Sequence, residues 1–145
     1  MKKTIFIALF VTVLTGLFAG CSSTSSGNSD KTSKQIPELT GDWKQANSKS
    51  SDTYQAATIN NDTIEIYWVS DNGDTKSLYW AGSFTAPTTA DEPYTWDSEN
   101  AHSKTENAML ASSDDTKTMT YQDGVLSYEV SALGTTTKVK LEKQK

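Results

Sequence analysis

Few side chains in this sequence are of the kinds that carry out reactions. His102 is the only imidazole and sits in a polar stretch from Ser98 to Lys104. A Ser-His-Asp site needs three groups held within mutual reach. Ser103, beside His102 in a chain rich in serine, is no sign of such reach, and a solvated loop histidine accounts for the position. A glycosidase needs two carboxylates facing one cleft, about 5 to 9.5 Å apart. Glu65, Asp97, Glu99 and Glu129 are available, and nothing in their spacing pairs them. Asp71-Asn72-Gly73-Asp74 and Asp114-Asp115 suggest calcium, but neither has the ligand spacing of an EF-hand loop. Aspartate beside glycine is ordinary turn chemistry. There is no Gly-rich phosphate loop, no CxxC pair and no arginine, so no bidentate clamp for phosphate or carboxylate exists. The expectation is a protein that is not an enzyme and holds no metal or cofactor.

What the sequence does offer is contact through aromatic side chains. Asn72-Gly73 suits a two-residue type I′ turn, whose central positions both need φ > 0. The resulting register pairs Ile64 with Ala81, Glu65 with Trp80, Ile66 with Tyr79 and Tyr67 with Leu78. One face of this hairpin (Ile64, Ile66, Tyr79, Ala81) reads as core. The other carries Glu65, Tyr67, Val69, Leu78 and Trp80, where a half-buried antiparallel sheet would be polar. Either a loop or second sheet covers that face, or Tyr67, Leu78 and Trp80 form a contact patch suited to a sugar, a lipid or a protein. Trp96, within Pro93–Asp97, is a rim candidate for the same binding role. Trp43 reads as core, and Trp68, on the face of Ile64 and Ile66, as core or barrel lining.

The elements that would position these residues are strands. At 145 residues the chain allows one domain. Runs rich in Thr, Val, Ile, Tyr and Trp are broken by Asn-Gly, Asp-Gly and Asn-Asn. Asp123-Gly124 pairs Tyr121 with Leu126 and Met119 with Tyr128. A turn at Asn60–Asp62 sets Ile59 and Ala57 beside Ile64 and Ile66. The last strand alternates, with Thr137, Val139 and Leu141 inward and Lys138, Lys140 and Glu142 outward. Nine strands are expected near 39–46, 53–60, 63–70, 75–86, 93–99, 105–112, 117–122, 125–131 and 135–143. The best helix candidate, Asn107–Ala111, is too short to displace a strand. The fold class is all-β: an antiparallel meander of eight or nine strands that hides its edges by closing into a small barrel, with a two-sheet sandwich as the alternative. At this size, with Trp and Tyr pointing inward, the barrel interior is expected to be filled. A pocket above about 300 Å³ lined by Trp68, Tyr79 and Tyr128 would reopen the question of a carried ligand.

Ahead of the domain, Lys2 and Lys3 precede an uncharged, mostly apolar run over 4–18, then Ala19, Gly20 and Cys21. A short apolar core followed by small residues is an export signal, here residues 1–20. As a helix the run reaches about 22 Å, too short for a hydrocarbon core of about 30 Å. Residues 21–36 are dominated by Ser, Thr, Gly, Asn and Lys and read as a flexible tether. The barrel domain is 37–145. One Cys and one His exclude a disulfide framework and a Cys/His zinc site, and a net charge of −5 without arginine makes nucleic acid an unlikely partner.

Ala19-Gly20-Cys21 resembles a bacterial lipobox, with Phe18 where that pattern has leucine. The resemblance implies that Cys21 receives a diacylglyceryl group and becomes the mature N-terminus. Two acyl chains suffice for stable attachment, so the expected location is the extracytoplasmic face of the cell membrane, lipid-anchored. Thr40-Gly41-Asp42-Trp43 resembles the G-x-W start of lipocalin-like (calycin) barrels, in which the Trp closes the barrel bottom. The lipobox, the tether and runs such as Ile66-Tyr67-Trp68-Val69 and Leu78-Tyr79-Trp80-Ala81-Gly82 together resemble small surface lipoproteins of low-GC Gram-positive bacteria and their temperate phages. That resemblance names no activity; the thin set of reactive side chains and the aromatic residues lead to the expectation of a non-enzymatic binding or interaction module with a protein or apolar ligand as partner. A prophage host-defence lipoprotein, excluding a second phage or inhibiting a wall-degrading enzyme, is one alternative; a carrier of a small apolar ligand is another.

Overall fold

The computed structural model describes residues 34–132 and 134–145. The leader, Cys21 and the tether up to residue 33 lie outside the described residues. Eight of the nine expected runs become strands. The eight strands are β1 (Gly41–Gln45), β2 (Tyr54–Asn60), β3 (Thr63–Ser70), β4 (Thr75–Ser83), β5 (Tyr94–Glu99), β6 (Thr116–Gln122), β7 (Val125–Ala132) and β8 (Thr135–Lys143). They form one antiparallel sheet in the order β4-β3-β2-β1-β8-β7-β6-β5. All neighbours but one follow the chain; β1 pairing with β8 is the link that curls the meander into a barrel. The two-sheet alternative is not adopted.

The tight turns set the register as their residue types require. Asn61, Asp71, Asn72, Asp123, Gly73 and Gly124 all have positive φ. Between Ser70 and Thr75 the chain makes a 3-10 turn over Asp71–Gly73 rather than the expected two-residue type I′ turn, and the register beside it is kept. Ile59 lies opposite Ile64 and Ala57 opposite Ile66. Tyr121 lies opposite Leu126. In the central hairpin Tyr67 pairs with Leu78 and Trp68 with Ser77, but beyond Tyr67 the register shifts by one, so Ile66 pairs with Trp80 and Glu65 with Ala81. Tyr79 is the extra residue of a β-bulge. Such a bulge re-aims side chains, and here Tyr79 and Trp80 both become core residues. Trp80 therefore does not share the outer face with Tyr67 and Leu78: it is 0% exposed, and the expected outer patch loses its largest member.

Trp96 is also corrected from the rim to the interior. It is 7% exposed, edge-on to Phe84 at 5.2 Å and stacked on Tyr94 at 5.6 Å. Inward alternation along β5 places it there, with Ser98 buried two residues on. Trp43 is buried as expected. Its indole N–H donates to the Leu39 carbonyl at 2.9 Å and its ring meets Tyr121 edge-on at 6.3 Å. Ile59, Ile64, Met119, Leu126 and Leu141 complete the filled part of the barrel.

The expected strand at 105–112 does not form. A single helical turn, α1 (His102–Thr105), opens this segment, and a loop follows. The segment is short of β-branched residues, and its backbone bonds within itself: the Ala108 amide donates to the Thr105 carbonyl at 3.0 Å and the Ala111 amide to the Ala108 carbonyl at 3.1 Å. Its ends are drawn together where the Asn100 amide donates to the Asp115 carbonyl at 2.9 Å and the Asn100 side chain to the Asp114 carbonyl at 2.7 Å. The Ser112 amide donates to the Tyr79 carbonyl at 2.8 Å, so the loop covers part of the β4 edge. Elsewhere the two sheet edges meet at one bridge, Gly82 with Asn100. Gly82 is needed there: a Cβ would come within 2.6 Å of both the Glu99 carbonyl and the Trp80 indole nitrogen. Trp80 Nε1 donates to Ser98 Oγ at 3.0 Å and pins the seam from inside.

Candidate functional site

On β3 the inward positions are Ile64, Ile66 and Trp68, and the first two are fully buried. Trp68 stands nearest the β3–β4 turn and is only partly buried. Its ring meets Tyr79 edge-on at 5.7 Å, and Tyr79 stacks on Tyr128 at 6.5 Å. Tyr79, inward by the turn register, thus forms with Trp68 the floor of a barrel mouth beside the bulge.

Two clefts open at this mouth and share Trp68 and Val130. The first, of about 460 Å³, has Tyr79 and Val130 on its inner side and the 110–114 loop and Ser131 around it. The second, of about 380 Å³, is bounded by Gln45, Asn47, Thr53, Thr137 and Val139. Leu110, half-exposed, contributes an apolar lip to the first cleft, and Met109 beside it is 96% exposed. The first cleft exceeds the expected threshold volume and is lined by Trp68 and Tyr79. Tyr128 lies behind Tyr79 rather than on the surface.

A polar layer underlies the aromatic one. Gln55 is fully buried directly across the ladder from Trp68. Tyr128 Oη donates to Gln55 Oε1, and the Gln55 backbone N–H donates to Gln45 Oε1 at 2.8 Å. Gln55 Nε2 has no hydrogen-bond partner among the described residues. Burial, reinforced by Tyr79, pushes the Tyr128 phenol well above the ordinary tyrosine value. An unpaired buried donor costs about 1–3 kcal/mol, and this one lies beside the mouth.

Lys117 sits at an inward position of β6 and is 6% exposed. Its ammonium donates to Asp114 Oδ2 at 2.9 Å and lies 5.4 Å and 5.2 Å from the Tyr79 and Trp80 ring centroids. It also reaches the Glu129 carbonyl at 3.4 Å, where the ladder between β6 and β7 has ended after three residue pairs. The Ser112 hydroxyl and the Lys117 ammonium hold the Asp114 carboxyl below the usual carboxylate range. The pair fastens the 112–114 wall of the first cleft to the barrel. Asp114, Lys117 and Val130 were not singled out from the sequence as mouth residues. The available signal was a lysine in the inward alternation of Lys117, Met119 and Tyr121.

The outer face of β3 and β4 is different in character. Tyr67 and Leu78 are there, half-buried, as expected. Tyr67 Oη donates to Glu65 Oε2 at 2.7 Å, and Lys104 of α1 donates to Glu65 Oε1 at 2.6 Å. These two bonds, Lys104 first, lower the Glu65 pKa, while the Glu65 carboxylate and burial raise Tyr67 to about 12. The aromatic patch is thus reduced to Tyr67 and Leu78, and the polar end of Tyr67 is already engaged.

The remaining candidates stay apart. His102 Nε2 lies 3.0 Å from Asp115 Oδ1 on an exposed loop, and no serine hydroxyl bonds to it among the described residues. Asp97 accepts from Thr118 on the outer face, and Glu129 is exposed on β7. Glu65 and Glu99 border one outer cleft near the seam, but the lowered Glu65 pKa is opposite to what a general acid requires. Among the described residues no group of three His, Cys, Asp or Glu side chains is placed to hold a metal ion. Asp71 instead accepts from Thr75 at 2.7 Å, as turn chemistry requires. No described helix is long and apolar enough to cross a membrane. Comparison of the chain with protein-family models, curated proteins and solved structures finds no match.

Proposed function

We propose that the chain is a lipid-anchored, extracytoplasmic binding module that performs no chemistry and holds a small ring-bearing ligand at the barrel mouth. The anchor rests on sequence: a basic start, an apolar run and the sole cysteine directly after Ala19-Gly20. The binding role rests on one observation, the cleft of about 460 Å³ walled by Trp68 and Tyr79. Ligand sites are concave, mostly apolar, and typically 300–1,000 Å³, with a few polar groups that orient the ligand. The mouth has that form. The outer face, with Trp80 withdrawn and Tyr67 bonded, supports a contact role less well.

The four tryptophans provide the test. Trp43, Trp80 and Trp96 are buried, leaving Trp68 as the indole that acrylamide reaches most readily. Quenching of the full chain in nanodiscs is expected to fall sharply in Trp68→Phe. A panel of saccharides, phenols and indoles is expected to contain compounds that protect Trp68 from the quencher. A panel in which none protects would remove the binding reading. The anchor is tested separately: fatty-acid labelling of the exported protein is expected to vanish in Cys21→Ser, and its persistence would remove the anchor.

A further inference from the structure

The two mouth clefts are not equivalent to one larger pocket. Trp68 and Val130 border both, so one indole lies between two depressions of about 460 Å³ and 380 Å³. An occupant that fills both is a linear chain of units crossing a ridge, not one compact molecule. The depressions are shallow, because Tyr79, Tyr128 and Gln55 fill the barrel behind them. A fatty chain would gain little dry depth there.

The borders of the clefts narrow the choice further. Apolar surface comes from Trp68, Tyr79, Val130 and Val139, with Leu110 and Ala111 at the lip of the first cleft, while hydroxyls and amides such as Ser131, Asn47 and Thr137 line the edges. Charge argues against an anion. The chain is acidic overall and has no arginine; exposed Lys49 at the rim of the second cleft is countered by Asp114 at the first, and Lys117 behind that wall is already bonded to Asp114. A flat ring with an apolar C–H face and hydroxyls around its edge matches an aromatic platform with a polar border.

We infer that the mouth binds an uncharged oligosaccharide, with consecutive sugar rings in the two clefts and one ring face on Trp68. The inference rests on the reading of the mouth as a ligand site and adds the ligand's class. The full chain in nanodiscs is titrated with N-acetylglucosamine, chitotetraose, glucose, cellotetraose and indole. Calorimetry gives affinity, and acrylamide quenching reports on Trp68. At least one tetrasaccharide is expected to protect Trp68 and to bind about tenfold or more tighter than its monosaccharide. Trp68→Ala is expected to weaken it by at least about tenfold, as a central aromatic contact would. Trp68→Phe keeps a ring in place and is expected to retain part of the affinity. Thr137→Lys, at an exposed position in the second cleft, is expected to weaken the tetrasaccharide and spare the monosaccharide. Protection by indole but by neither tetrasaccharide would overturn the ligand class and leave the site standing. A tetrasaccharide no tighter than its monosaccharide would overturn the two-cleft arrangement. No protection by any probe would overturn both the inference and the binding reading beneath it.

Discussion

Asp114→Ala is expected to destabilise the domain more than Lys117→Met, although the two residues form one ion pair. The asymmetry follows from where each charge is left. The Lys117 side chain is 6% exposed, whereas that of Asp114 is 59% exposed. Removing Asp114 strands an ammonium in the interior with a carbonyl at 3.4 Å and two ring faces beyond 5 Å as its remaining partners. The loss of a hydrogen bond to a charged group costs about 1.5–3 kcal/mol, and the ring faces offset a fraction of it, so about 2 kcal/mol is expected. Removing Lys117 instead leaves a carboxylate that water reaches and that Ser112 Oγ still donates to at 2.7 Å. Methionine keeps the aliphatic stem and makes sulfur–aromatic contacts worth about 0.3–1.5 kcal/mol, so the cost is expected to stay below about 1 kcal/mol. Urea unfolding of both variants with unchanged m-values reads the difference as a shift in midpoint. A Lys117→Met loss equal to or larger than that of Asp114→Ala would refute the reasoning, because it would make the pair a net source of stability.

Gly82→Ala is expected to cost about 1–3 kcal/mol by overpacking the β4–β5 seam. Exchange of the Ala101 amide, bonded across the seam to the Ala81 carbonyl, should quicken with it; unchanged exchange would show that the seam does not need glycine. In alkaline titration followed by phenolate absorbance, Tyr67 is expected to ionise near its raised value of about 12. A raised folded-state pKa means that this stability is complete below about 10, the ordinary tyrosine value, and is lost as pH rises through 12. Tyr67→Phe should remove that step. At the other end, the lowered Glu65 pKa stabilises the fold above about 4.3, the ordinary glutamate value, and this is lost as pH falls through the lowered value. Glu65→Gln should therefore flatten part of the acid limb of an unfolding curve, and an unchanged limb would discount the Lys104–Glu65 contact.

Much of the barrel was legible in the chain because turn chemistry and period-2 alternation are local. Asn60–Asp62, Asn72-Gly73 and Asp123-Gly124 each admit positive φ, and each sets the pairing of the strands it joins. The inward alternation of Val139 and Leu141 likewise needs no knowledge of the rest of the molecule. Two events were not local. A one-residue bulge at Tyr79 leaves the turn unchanged yet reverses the face of everything beyond it, which moved Trp80 from an outer patch to the centre of the core. A strand was expected at 105–112, but that backbone turns on itself, with the Ala108 amide on the Thr105 carbonyl and the Ala111 amide on the Ala108 carbonyl, and ends with the Ser112 amide on the Tyr79 carbonyl, a partner supplied by the closing sheet.

The candidate site divides along the same line. Trp68 and Tyr79 could be named in advance, because alternation places one inward and the turn register places the other. Their meeting at an open mouth, with Val130, Asp114 and Lys117 around them, depends on β8 arriving beside β1, on the 110–114 loop folding over β4, and on where the barrel core stops. The sequence by itself determined which residues favour strands, which form turns, and the chemistry of the leader that ends at Cys21. Only the tertiary structure decided which aromatic rings face a void, because that depends on the relative heights of strands far apart in the chain, and no local preference encodes it.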